Sequence, residues 1–330
     1  MSDVMRSGRY IGGPVVERCE AAVAGLMGRA HGVGASSGTA AITRLLQARG
    51  VRSGQEIIVP AVTFFSTAGA ILRAGAVPVI ADVLADRPLL DPDAVRSVRT
   101  PRTVAVMPVH LFGDRAPHPD IDGLPVLDDA AQAVGATPPP THGAAAAISF
   151  YPTKILGAIG DGGMILTDDP DLAARSRALG FHGIVGPHLH EQTAGHMGGN
   201  CRLDAIQAAA ILAQLDDLPI RIRRRQAIAR RYDAIAGEMA LPRDPGSPVS
   251  VYVLRHPDRD RARAQLSDAG VQTAVYYPRP LSAQPALADC PRGPTPNAQA
   301  FCAQALALPC HEALTDDQVD AVMDALRRIV

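Results

Sequence analysis

The chain has 330 residues, 47% of them apolar and 20% charged, the balance of a globular protein with room for a large core and, by length, about two domains. A formal net charge of −1 and an isoelectric point near 6.8 exclude bulk attraction to nucleic acid or to an anionic membrane surface. No apolar run reaches the roughly 18 residues of a membrane span, the opening MSDVMRSGRY has no signal-like apolar stretch, and the cysteines (Cys19, Cys201, Cys290, Cys302, Cys310) never fall in C-x-x-C spacing, so a cytoplasmic protein without disulfides or structural zinc is expected.

From about residue 35 to 170, apolar runs alternate with helical patterns. GASSGTAAI (34–42) is a turn of small residues leading into a helix over 40–49, which Gly50 stops. EIIVP (56–60) reads as a strand, and 63–74 as a helix ending at Gly75. VPVIADV (77–83), TVAVMPVH (103–110), PVLDD (125–129), AAAISF (145–150) and GGMILTDD (162–169) read as further strands. None alternates strictly between apolar and polar, as strands buried on both faces do not. This order predicts a mainly parallel sheet covered by helices. After Asp204 the pattern changes. Helices are expected over 202–217 and 221–239, broken at Pro219, then a strand over 249–255, a helix over 258–269 and a strand over 271–277. Two last helices cover 297–307 and 316–329, with Thr315 as N-cap and Gln318 placed for a capping box. The domain boundary falls near 215–240, and LPRDPGSP (241–248) is the most loop-like stretch there.

One residue stands out by its isolation. Lys154, in SFYPTKILGAIGDGG, is the only lysine, and the other 31 of the 32 basic residues are arginines. A guanidinium keeps its charge, whereas a desolvated amine can lose its proton and attack a carbonyl. Lys154 is therefore either a chance survivor of a drift from Lys to Arg or a residue whose chemistry Arg cannot supply. The neighbouring motifs bear on that choice. The turn at 34–42 exposes backbone N–H groups at a helix N-terminus, which suits a phosphate, although small residues also start helices for purely structural reasons. It matches neither the Walker nor the dinucleotide-binding spacing. VLDDAAQAVGA (126–136) puts two acids where a buried strand ends, the position at which open α/β sheets bind ligands. Such a carboxylate suits a protonated ring nitrogen, or simply caps a helix. Ser149, five residues before Lys154, could reach a phosphate that the amine's partner carries. TFF (63–65) brings two adjacent phenylalanines to a strand end in a chain with only 4% aromatics; they pack in the core, or one lies on a flat ring. RIRRRQAIARR (221–231) spreads its arginines around a helix and reads as a solvated face. His182, His188, His190 and His196 have no Cys or carboxylate at ligand spacing, so no metal site is expected.

Taken together, SSGTAA, GQEIIVPAVTFFSTAGAILRAGAVPVIADV, PVHLFG, DDAAQAVGA, SFYPTKILGAIGDGG, GGNCRLDAIQAA and LALPCHEALTDDQV resemble, in order and over nearly the whole chain, the DegT/DnrJ/EryC1/StrS sugar aminotransferase family of fold-type I pyridoxal phosphate (PLP) enzymes. The resemblance implies an α/β chain with the three-layer αβα PLP-dependent transferase fold of the aspartate aminotransferase type. It implies a large PLP-binding domain with an N-terminal helix over 1–215 and a smaller C-terminal α+β domain over 216–330. By the same resemblance Lys154 is the Schiff-base lysine, Asp129 binds the pyridine nitrogen, Gln132 lies near the ring hydroxyl and Phe64 lies on the ring. Gly38, Thr39 and Ser149 hold the phosphate, and Asn200, in the G-x-N-x-R segment, reaches the phosphate of a neighbouring subunit in a homodimer with shared active sites. The implied activity moves an amino group, through a Lys154 internal aldimine, from an amino acid such as L-glutamate to a nucleotide-linked keto-sugar or keto-cyclitol, as in amino-sugar and antibiotic biosynthesis. Small molecules are then the only partners besides the second subunit. The chain departs from the family at Ile155, at Gly199 and Cys201 of GGNCR, and at Ser282 of LSAQP, and it is shorter after residue 240. Two alternatives remain: a PLP-dependent sugar dehydratase, whose branch of the family carries His in place of the lysine, and a non-catalytic relative that binds PLP or a sugar nucleotide.

Overall fold

The computed structural model describes residues 1–119, 121, 123–141, 143–185 and 197–330. Two helices, α1 (Ser2–Ser7) and α2 (Pro14–Leu26), precede β1 (His31–Ala35) and α3 (Gly38–Ala48). There follow β2 (Glu56–Pro60), α4 (Ser66–Arg73), β3 (Val77–Ala81), α5 (Pro92–Val98), β4 (Thr103–Val106), β5 (Leu127–Asp129), β6 (Ala145–Ser149), β7 (Gly163–Thr167) and α6 (Pro170–Leu179). Strands pair in the orders β3-β2-β4 and β1-β7-β6-β5. Parallel bridges from Val106 to Val126 and from Val109 to Asp129 join the two sets into one sheet, in which β7 alone runs against its neighbours. This is the expected α/β architecture, with helices packed on a mainly parallel sheet.

Strand β1 has no counterpart in the sequence reading, and its composition explains why. HGVGA carries two glycines, which disfavour strands in isolation. The fold requires one of them: a Cβ at Gly32 would lie 2.6 Å from the Glu20 carbonyl oxygen of α2. The six strands that were read from apolar runs all form, β2 over its full run and the others a little shorter than theirs.

The C-terminal part holds α7 (Ala205–Leu212), α8 (Leu218–Ala236), β8 (Tyr252–Arg255), α9 (Arg259–Asp268), α10 (Pro296–Gln304), β9 (Ala305–Leu308) and α11 (Asp316–Leu326). Three expectations are corrected here. Pro219 opens α8 instead of breaking a helix, as its missing N–H allows in a first turn. The run over 271–277 is not a strand; only Ala274 bridges, to Ala307. The helix expected over 297–307 stops at Gln304, and ALAL becomes β9, antiparallel to β8. A short apolar run carries no period that separates the two states, and its β8 partner decides. The Thr315–Gln318 capping box starts α11 as read.

Tyr232, Tyr252, Leu254, Leu306, Val319 and Leu326 are the centre of a buried cluster among α8, β8, β9 and α11. A second cluster runs from the sheet around β2 and β4 to Phe301 and Ala307 without a break. Four of the six arginines of 221–231 are engaged: Arg221 and Arg225 pair with Glu312, Arg224 with Asp316, and Arg231 with Asp320. Among the described residues no helix is long and apolar enough to cross a membrane, and no group of His, Cys, Asp or Glu could hold a metal. His188, His190 and His196 lie outside the described residues.

Candidate active site

The site forms where the chain turns from β1 into α3 and where β5 and β6 end. Ser37 caps α3, its hydroxyl accepting from Ala40 N–H at 3.1 Å. The N–H groups of Gly38 and Thr39, in the first turn, have no acceptor within the helix. The turn is pressed against the sheet. A Cβ at Gly38 would come within 2.8 Å of Ser149 Cβ, and one at Gly163 within 2.5 Å of the Ser37 carbonyl carbon. The glycines are what let a helix N-terminus meet the ends of β6 and β7. Ser149 is buried there, and its hydroxyl accepts from Tyr151 N–H at 3.3 Å.

Asp129 ends β5 and is buried. Its Oδ1 accepts from Ala131 N–H at 3.1 Å and its Oδ2 from the Thr67 hydroxyl at 2.8 Å. Thr67 has one proton and spends it on Asp129, so the 3.0 Å contact between the Thr63 and Thr67 hydroxyls has Thr63 as donor. A relay from Thr63 through Thr67 therefore ends on the carboxylate. Burial pushes the Asp129 carboxyl above its usual range, and Thr67, Ala131 N–H, Lys154 and His110 all pull against that. Lys154 lies within electrostatic reach of this carboxylate. Burial holds its amine below the usual lysine range, and the charge of Asp129 opposes the effect. The sole lysine is thus half-buried, and its amine feels the charge of a buried carboxylate.

The adjacent Asp128 is held separately, as alternation along a strand requires. It accepts from Gly143 N–H at 2.8 Å, and His110 Nε2 lies 3.3 Å from its other oxygen. His110 Nδ1 accepts from Ala116 N–H at 3.0 Å, so the ring proton sits on Nε2, toward Asp128.

Gln132 is fixed in orientation because its Oε1 accepts from Phe112 N–H at 2.8 Å. Its Nε2 then donates to the Tyr277 hydroxyl at 3.4 Å. The Tyr277 ring lies 6.4 Å from that of Phe64, tilted by 40°. Phe64 is 59% exposed, so it is not a core residue and its ring is open to a planar partner. Leu281 N–H donates to the Ala61 carbonyl at 2.7 Å, which ties LSAQP to the end of β2. Ser282 in that segment shares a 2.8 Å hydrogen bond with Thr295.

The structure therefore brings together Gly38 with Ser149, Asp129 with Lys154, and Gln132 and Phe64 with Tyr277. Thr39 sits half-buried in the first turn of α3. Asn200 stands apart: it is exposed, bridges Phe181, and accepts from the Arg202 guanidinium at 3.0 Å. The sequence reading passed over Thr63, Thr67, His110 and Tyr277. The spacing of the two threonines, four residues apart, was the available signal for the relay. Nothing local marks Tyr277, which reaches the site from the far end of the chain.

The arrangement offers free helix N–H groups for a phosphate, a buried carboxylate for a cationic ring nitrogen, and an amine whose charged form burial disfavours. Residues 1–327 match the DegT/DnrJ/EryC1/StrS aminotransferase family. The chain is 40% identical over 345 residues to the erythromycin biosynthesis sensory transduction protein EryC1 of Saccharopolyspora erythraea, covering 98% of this chain and 92% of that one. It is 38% identical over 348 residues to the dTDP-3-amino-3,4,6-trideoxy-alpha-D-glucose transaminase of Streptomyces venezuelae, covering 98% and 89%. Among solved structures, NtdA of Bacillus subtilis with bound cofactor PMP superposes with a TM-score of 0.91 at 28% identity, covering 99% of this chain and 80% of that one. By the match over its whole length and by these relatives, the chain belongs to the DegT/DnrJ/EryC1/StrS aminotransferase family.

Proposed function

We propose that this aminotransferase uses PLP to move an amino group from L-glutamate to a nucleotide-linked keto-sugar or keto-cyclitol. One observation carries the reading: the only lysine of the chain is half-buried, and its amine is coupled to the buried carboxylate of Asp129. The residues fit the cofactor on three counts. The glycine-lined contact of α3 with Ser149 leaves the N–H groups of Gly38 and Thr39 for a phosphate. Asp129, with Thr67 and Ala131 as its hydrogen-bond donors, needs a cationic partner on its remaining side. Phe64 presents an open ring for stacking. The PMP-bound relative supports the choice of cofactor, and the dTDP-sugar transaminase supports the class of acceptor.

PLP, when bound, supplies an electron sink for the charge that develops at the donor's α-carbon. Lys154 is the residue whose amine would hold the cofactor, and the same amine, in its neutral form, would carry a proton to and from the donor's α-carbon. Burial favours that neutral form, and Asp129 limits how far the shift goes. Asp129 would hold the proton of the ring nitrogen, and the Thr63–Thr67 relay favours the ionised form of Asp129. Gln132 donates toward the ring hydroxyl, and Ser149 adds a hydroxyl to the phosphate cradle. Asn200, turned away from its own chain's site, would serve the phosphate of a second subunit in a homodimer. Residues 1–215 would form the cofactor domain and 216–330 a smaller second domain, in a cytoplasmic enzyme.

The test is a trapping experiment followed by turnover. Protein loaded with PLP and reduced with borohydride carries the pyridoxyl mass on the peptide containing Lys154. Adding glutamate and a panel of nucleotide-linked keto-sugars and keto-cyclitols then releases 2-oxoglutarate in step with aminated product. No label on Lys154 refutes the reading. A label without 2-oxoglutarate from any donor and acceptor pair identifies a binding protein instead.

A further inference from the structure

We infer that Tyr277 is a further cofactor-contacting residue, whose hydroxyl donates a hydrogen bond to the ring-hydroxyl oxygen of the bound pyridine ring. The inference rests on the PLP reading above and adds a residue to it. Its starting point is the direction of the hydrogen bonds. Phe112 N–H can be accepted only by the oxygen of the Gln132 amide, so the amide nitrogen faces Tyr277. An amide nitrogen only donates, so the phenol oxygen is the acceptor in that contact. The phenol proton must therefore point elsewhere, and among the described residues no acceptor for it is present. The hydroxyl is only half-buried, so its proton is free to be taken by the acceptor of a ligand.

Three neighbours define where that proton points. The Tyr277 ring lies 6.4 Å from the Phe64 ring, so both aromatics border one space. Gln132 follows Asp129 by three residues and adjoins the same space. The charge of Asp129 is itself felt at the phenol, which burial and that charge keep neutral and able to donate. A flat ring lying against Phe64 with its nitrogen on Asp129 would turn its hydroxyl toward Gln132 and Tyr277 together. When that hydroxyl is ionised, two donors would stabilise the anion, one from each half of the chain.

The experiment compares wild type with Tyr277→Phe, which keeps the ring and its packing against Phe64, using PLP and its analogue lacking the ring hydroxyl, 3-deoxypyridoxal 5′-phosphate. Affinities are read by equilibrium dialysis, and the pH midpoint of the cofactor's visible band by absorbance. Loss of a donor to an anionic oxygen raises the basicity at that oxygen. The expected result is a midpoint about one unit higher and PLP binding about tenfold weaker in Tyr277→Phe, the size of one hydrogen bond to a charged group. The two proteins bind the 3-deoxy analogue equally. An unchanged midpoint and unchanged PLP affinity overturn the inference while leaving the cofactor reading intact. Equal weakening toward both ligands also overturns it, since the phenol then acts only through packing. Failure of wild type to bind either compound overturns both readings.

Discussion

Replacing Thr67 with Val tests whether the buried carboxylate of Asp129 is kept ionised by a dedicated donor. Val matches Thr in shape and removes only the hydroxyl. Thr67 is fully buried, so no water replaces the lost bond. The bond lost is the 2.8 Å one to Asp129 Oδ2, a hydrogen bond to a charged group worth about 2 kcal/mol. Thr63 loses its acceptor as well, at about 1 kcal/mol. The variant is thus expected to be about 3 kcal/mol less stable where Asp129 is ionised. The sign of the pH effect follows from linkage. Burial already raises the Asp129 carboxyl above 3.8, so ionising it costs the folded state, and Thr67 offsets part of that cost. Without Thr67 the carboxyl rises further, and the variant loses more stability than wild type as pH increases through the titration of that carboxyl. As pH falls and the carboxyl becomes protonated, the charged contribution shrinks to that of a neutral bond, and the deficit narrows toward about 2 kcal/mol. Urea unfolding of both cofactor-free proteins, at several pH values spanning the titration of that carboxyl, reads the difference directly. A deficit of the same size at both ends of the range would mean that Thr67 merely packs, and the relay would have no electrostatic role.

The Asp114→Asn variant is expected to be more stable than wild type at neutral pH. Burial raises the Asp114 carboxyl to about 6, so wild type loses stability, on the order of 3 kcal/mol at most, as pH rises from about 4 to about 6. Asn carries no such penalty and still accepts from Asp244 N–H, now 3.1 Å away. The gap should therefore close near pH 4, and a constant gap in thermal or urea unfolding would contradict the assignment. Gly38→Ala places a methyl 2.8 Å from Ser149 Cβ and forces α3 away from the sheet end. Overpacking of this kind costs about 1–3 kcal/mol, and if the turn is the phosphate cradle, PLP affinity falls at least about tenfold. Unchanged affinity by dialysis would move the phosphate site elsewhere.

How far the sequence reaches can be seen element by element. The six apolar strands, the helices after the small-residue turn and after TFF, and the capping box of α11 were legible because each is set by local pattern: buried runs, glycine stops and a cap three residues from its partner. The solitude of Lys154 among 31 arginines and the acids at the end of a buried strand pointed to the chemistry for the same reason, since residue type and spacing alone carry it. Strand β1 and strand β9 were not legible, because glycines or four apolar residues become strands only when a neighbouring strand supplies the hydrogen bonds. The relay onto Asp129 joins residues 62 positions apart, and the Gln132–Tyr277 contact joins residues 145 apart. No local rule encodes such pairs. Sequence thus decided which side chain could give up its charge, and tertiary structure decided how dry its surroundings are and which partners oppose the shift, because desolvation and hydrogen-bond direction depend on atoms that only folding assembles.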